Sequence, residues 1–172
     1  MTDRGTYLEH DGRPAVRFVR RYPHPAQRVW AAVSEPAGLR HWFPSSVELE
    51  PRTGGRIAFH DDPNLPATAG TVLAYDPPRR LAFTWGGDEL HLTVEPDGDA
   101  ACTLTLLNVL EARDAAARNA AGWAVCLAEL EKHLRGDTAD GPHSATAEPW
   151  QEHYAAYVAA GVPSGAPIPS PS

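Results

Sequence analysis

The sequence predicts an α+β fold in which a curved antiparallel sheet wraps around one long C-terminal helix, with two short helices after the first strand. Three observations predict it. Residues 46 to 110 break into six short runs of alternating apolar and polar residues, separated by turn residues, which is the pattern of an antiparallel meander. Residues 114 to 135 carry one continuous apolar stripe, Ala116, Ala120, Trp123, Leu127, Leu130 and Leu134, spaced alternately by four and three. A strand and two short helical segments precede the meander, and 172 residues suffice for one well-filled core but not for two ordinary domains.

The first strand is "AVRFVRRY", residues 15 to 22, which alternates around Val16 and Phe18 and stops at Pro23. In "PHPAQRVWAAVSEP", Pro25 suits a first helical turn, Val29, Trp30 and Val33 share a face, and Pro36 forbids continuation. "PAGLRHWF" then places Leu39, Trp42 and Phe43 at i, i+3 and i+4 of a second short helix. The six strands that follow are "SVELE", "GRIAFH", "TVLAY", "RLAFTW", "ELHLTVE" and "ACTLTLLNVL", joined by Gly-Gly, Asp-Gly and Pro-Pro turns and by the longer loop "DDPNLPATAG".

In the long helix, Asp114 is the expected N-cap, Lys132, His133 and Arg135 suit the C-terminal end of the dipole, and Gly136 is the expected stop. The helix-gripping domain is therefore expected over 1–136. A C-terminal extension, 137–172, follows as a polar linker, a short aromatic helix at about 148–160 with Trp150, Tyr154, Tyr157 and Val158 on one side, and a Pro/Ser-rich tail expected to be disordered.

A sheet with alternating faces needs one side covered, and the stripe of the long helix is the only long apolar surface available. Side chains of the parity Leu81, Phe83, Trp85 and Leu90, Leu92, Val94 then point inward, while Glu89, His91, Thr93 and Glu95 point to solvent. Trp123 is expected against the concave face. Gly122, lacking Cβ, would let another backbone or an aromatic ring approach the helix closely. A gap between a bent sheet and a helix, lined by large aromatics, is the default ligand site. Its candidate walls are Trp42, Phe43, Phe59, Tyr75, Trp85, Trp123 and Leu127, although Trp30, Phe83 and Trp123, taken singly, read more readily as core.

Composition excludes several functions. A net charge of −7, with arginines scattered among acids, disfavours a nucleic-acid partner. No apolar run approaches membrane-spanning length and no secretory signal is readable, so the cytoplasm is the expected location. Cys102 and Cys126 sit in apolar patterns without CxxC spacing and read as buried thiols. "FHDDP", with His60, Asp61 and Asp62, is the one cluster of metal-ligand types, but adjacent residues at a strand end point apart, and a solvated turn is expected. No metal, nucleotide or other cofactor is expected.

Inward polar residues are scarce. Arg20 shares the parity of Val16 and Phe18, and Asn108 that of Leu104 and Leu106. Arg20 is either an anchor for a ligand carboxylate or phosphate or one half of an ion pair at the sheet rim. Asn108 is either a hydrogen-bond donor to a ligand or a strand terminator.

Four segments in this order, "RVWAAVSEPAGLRHWF", "RTGGRI", "GTVLAYDPPRRLAFTW" and "AGWAVCLAEL", resemble the START-like (SRPBCC) helix-grip superfamily, and within it the group similar to the C-terminal domain of the activator of Hsp90 ATPase. The resemblance extends over residues 14 to 135. The resemblance implies a cavity between the long helix and the sheet that holds hydrophobic molecules, and it implies no single function. The reading that follows is a cytoplasmic binding protein for a small hydrophobic ligand, with no catalytic residue. Two alternatives stay open: a cyclase- or hydrolase-type enzyme using Arg20, Asn108 or His41 at the pocket mouth, and a protein-interaction module, either co-chaperone-like or a homodimer built on the C-terminal aromatic helix.

Overall fold

A computed structural model describes residues 4–168. The elements are β1 (Thr6–His10), β2 (Arg13–Tyr22), α1 (Ala26–Ser34), α2 (Pro36–Leu39), β3 (Ser46–Leu49), β4 (Arg56–His60), β5 (Thr68–Asp76), β6 (Arg80–Trp85), β7 (Asp88–Asp97), β8 (Ala101–Val109), α3 (Ala116–Leu134) and α4 (Trp150–Ala159). The strands form one 8-stranded sheet in the order β1-β2-β8-β7-β6-β5-β4-β3, with antiparallel neighbours throughout. The architecture is the helix-grip α+β fold, with α3 against the concave face. No helix among the described residues is long and apolar enough to cross a membrane.

β1 is an addition to the seven strands read from the sequence. It pairs with β2 from Thr6↔Arg17 to His10↔Arg13, and the link is Asp11-Gly12, both at positive φ (51° and 80°). That is the Asp-Gly hairpin turn, whose left-handed backbone matches the twist of the flanking strands. "EHDGRP" thus carried the signal; the alternation before it is too weak to read alone.

The inward parity holds from strand to strand. Phe18 lies opposite Leu106, Leu92 opposite Leu106 on its other side, and Val94 opposite Leu104. These side chains are buried, as are Leu81, Phe83 and Leu90. On the helix, all six residues of the Ala116-to-Leu134 stripe are buried. Burying each large side chain of this kind contributes roughly 1.5–3 kcal/mol before entropy is counted.

α3 is buried on more than its stripe. Ala117, Ala121, Val125 and Glu129 are also covered, because α4 packs across the side of α3 away from the sheet. Glu129 anchors the linker: its carboxylate accepts the Gly141 N–H at 3.0 Å and meets Lys132 Nζ at 2.6 Å. Gly136 ends α3 as expected, with φ +84°, its N–H donating to His133 and that of Asp137 to Lys132, a Schellman pair.

Two expectations differ from the structure. Asp114 is not the N-cap; it lies in a 3₁₀ turn (Arg113–Ala115), and Ala115 occupies the cap without a side-chain bond. The physical substitute is the tail, since the Ala117 N–H donates to the Pro163 carbonyl at 2.8 Å. The Pro/Ser-rich stretch expected to be disordered is therefore held in part. Ala166 N–H donates to Asp114 O and Arg118 to Pro167 O. The remainder of that expectation falls on residues 169–172, which lie outside the described residues.

Candidate functional site

Five rings from four separate parts of the chain meet between the sheet and α3. Phe43, on the turn after α2, is their hub, with ring centroids 6.2 Å from Phe59 on β4, 6.1 Å from Phe83 and 5.6 Å from Trp85 on β6, and 5.7 Å from Trp123 on α3. Phe59 also meets Phe83 at 5.6 Å, and Trp85 meets Trp123 at 5.4 Å. All lie within the separation at which tilted aromatic pairs attract. Trp42 stands edge-on to Phe43, with its indole N–H donating to Ala32 O at 2.9 Å, so the segment after α2 is tied back to α1. Gly38 makes that tie possible: a Cβ there would sit 2.5 Å from Ala31 O.

One end of the ring cluster is polar. Trp123 Nε1–H and Asn119 Nδ2–H both donate to Asn108 Oδ1, each at 3.0 Å. Asn108 Nδ2 donates to Asp88 Oδ2 at 3.0 Å, and Asp88 also accepts Asn119 Nδ2–H at 3.1 Å and Glu111 N–H at 2.9 Å. The network joins β7, β8 and α3, and it fixes the edge of the indole.

Of the candidate wall residues, Trp42, Phe43, Phe59, Trp85 and Trp123 are brought together, and Leu127 is buried one turn beyond Trp123. Tyr75 is placed elsewhere, against Trp30 at 6.0 Å. Asn108 uses both ends of its amide within the protein. Arg20 does face inward, opposite Leu104, but at a separate pocket beneath α4. Asp88 and Asn119 escaped notice in the sequence. Asp88 precedes Leu90 by two and so has the inward parity, and Asn119 precedes Trp123 by one helical turn.

The other candidate groups have local partners. His60 and Asp61 pair at the surface at 2.9 Å, while Asp62, rather than being solvated, turns inward to accept the Asn64 N–H and face His143 at 3.8 Å. His41 stacks on His133 with ring centroids 4.2 Å apart. Burial holds the His133 imidazole below the ordinary histidine range, helped by the charges of His41 and Arg28. Burial likewise pushes the Cys126 thiol far up, with Asp62 and Glu129 adding to the effect, and raises Cys102. In the extension, Trp150 stacks on Tyr154 at 4.8 Å and both pack on the domain's own core, as does Tyr157.

The sheet order, the long gripped helix and the aromatic interior define a START-like helix-grip protein. The chain belongs to the family described as Activator of Hsp90 ATPase homolog 1-like protein, whose match covers residues 23–135. Solved structures agree. CalU16 from Micromonospora echinospora is 25% identical, with a TM-score of 0.70 over 91% of this chain and 92% of that one. EF2215 from Enterococcus faecalis, a conserved protein of unknown function, is 18% identical with a TM-score of 0.71 over 91% and 89%. BPP1335 from Bordetella parapertussis is 25% identical with a TM-score of 0.63 over 90% and 87%. The CalU16 match covers more of the chain than residues 4–136 could supply, so it reaches into the C-terminal extension. Comparison with curated proteins returned no match.

Proposed function

We propose that this chain binds a small, mostly apolar molecule between the concave sheet and α3, and performs no chemistry on it. The observation that carries the reading is the convergence of Phe43, Phe59, Phe83, Trp85 and Trp123 on one place, with a single polar network at its end. Sites for such ligands are walled by aromatics and hold few polar groups. The gap expected there is occupied by the rings themselves, packed 5.4–6.2 Å centroid to centroid, so a ligand enters by displacing one of them. Phe43 is the ring to move, because it rides on a turn between α2 and β3 while the others stand on strands or on α3.

The polar end supports binding rather than catalysis. Asp88 is engaged by three donors, which leaves it poorly poised as a base, and Asn108, a neutral amide, is bonded at both its nitrogen and its oxygen. Two buried, free thiols suit a reducing compartment, and we place the protein in the cytoplasm.

Native mass spectrometry of the protein purified from its own host tests the reading. A bound small molecule that is released on denaturation, and that displaces Nile red from the refolded protein, is the expected result. Protein that carries no molecule and does not enhance Nile red emission contradicts it.

A further inference from the structure

Arg20 occupies an unusual place. It lies between Phe18 and Tyr22 on the inner row of β2, and both neighbours are buried. A guanidinium in such a row normally has a carboxylate partner. Among the described residues no carboxylate comes within salt-bridge distance of it, and its Nε is buried without a hydrogen-bond partner. The Phe18 ring lies 5.7 Å from its Cζ.

The unpaired group opens into a pocket of about 300 Å³ that exists because α4 crosses α3 there. Ala124 of α3 and Ala156 and Tyr157 of α4 give it apolar walls, and Arg4 and Glu152 stand at it with Arg20. His153 also lines it, but its imidazole is held by Glu148 at 2.8 Å. Tyr157 Oη accepts the Gly5 N–H at 2.9 Å, which leaves its own O–H to donate. Burial raises the Tyr157 pKa, so the phenol keeps that proton at neutral pH.

We propose that this pocket binds the carboxylate of a small organic acid, held by the Arg20 guanidinium and the Tyr157 hydroxyl with its apolar part against Ala124 and Ala156. Among the described lining residues two guanidiniums and one carboxylate leave a surplus of one positive charge, which matches a monoanion. A phosphate dianion would exceed that surplus and face Glu152. A guanidinium fork accepts a carboxylate in bidentate fashion, which supplies geometry as well as charge. The site gives the C-terminal extension a function, and it stands independently of the aromatic interior, from which its lining residues are separate.

The test is titration of the ¹⁵N-labelled full chain with sodium benzoate and, separately, with inorganic phosphate and chloride at constant ionic strength. Benzoate is expected to shift the Arg20 Nε–H signal and the amides of Ala156 and Tyr157 saturably. Arg20→Gln is expected to weaken benzoate about tenfold or more, the effect of losing a charge-assisted hydrogen bond. Ala156→Met, which fills the pocket and leaves every charge in place, is expected to abolish binding even if Arg20→Gln fails to fold. Absence of shifts with benzoate, equal affinity in Ala156→Met, tighter binding of phosphate than of benzoate, or the same response to chloride would each overturn the proposal.

Discussion

The Trp123 indole N–H donates to the Asn108 side-chain carbonyl at 3.0 Å, joining the gripped helix to the centre of the sheet inside the core. Asn108 is fully buried, and its amide is shared among Trp123, Asn119 and Asp88. Truncating it leaves the buried indole donor without its partner and takes one of three donors from Asp88, which keeps Asn119 and the Glu111 N–H. Asn108→Ala is expected to lower unfolding free energy by about 1–3 kcal/mol, the range for orphaning buried polar groups, as read by urea denaturation. A loss below about 0.5 kcal/mol would mean the network is not a structural tie.

Gly122 faces α4 rather than the sheet, and a Cβ built on it would come no nearer to another side chain than 4.0 Å, from Trp150 Nε1. That is ordinary contact. An aromatic ring does lie over the glycine, as its position suggested, but the approach does not require glycine. Gly122→Ala is therefore expected to stabilise the protein by about 0.5–1 kcal/mol through helix propensity, measured by thermal or urea unfolding. A destabilised variant would show that Trp150 sits closer.

Stability is expected to fall in mild acid. The folded pKa of His133 is depressed, by burial first and by His41 and Arg28 next, so between that value and the unfolded value near ~6.5 the unfolded chain binds more protons. The contribution is complete above the unfolded pKa and is lost as pH falls through the folded one. Melting temperatures across pH 5 to 8 should decline less steeply on the acid side in His133→Gln than in the unsubstituted chain. Parallel curves would contradict the assignment.

Both thiols should be inert in the native protein. Burial raises the pKa of each, most strongly for Cys126, and a thiol reacts as its thiolate. A disulfide reagent at mildly alkaline pH is expected to titrate neither until denaturant is added, and then both. Rapid reaction of either in the folded state would show that the core around it opens.

The strands and the long helix were legible because their periods are strong: Leu90, Leu92 and Val94 alternate, and Ala116 to Leu134 keeps a four-three spacing. Phe59 and Trp85 were legible through strand parity and Trp123 through the helical stripe, whereas Trp42 and Phe43, expected on the second short helix, lie on the turn beyond its end at Leu39. What periodicity does not carry is partnership. Nothing in the local pattern shows that Trp123 seeks Asn108, that Tyr75 turns to Trp30, or that Pro163 supplies the carbonyl that α3 lacks from Asp114. These contacts join residues distant in the chain and depend on how the extension folds back. Arg20 was legible as inward but not as unpaired, because pairing is a property of the assembled face.

The proposed interior site is tested most directly by the indole N–H signals of the five tryptophans, of which Trp85 and Trp123 meet in the ring cluster while Trp150 lies on α4. On titration with 2-naphthol, the Trp85 and Trp123 signals are expected to shift together and saturate, with Phe43→Ala altering the affinity, while Trp150 stays unmoved. Shifts confined to Trp150, or none in Trp85 and Trp123 at saturating probe, would contradict a ligand site between the sheet and α3.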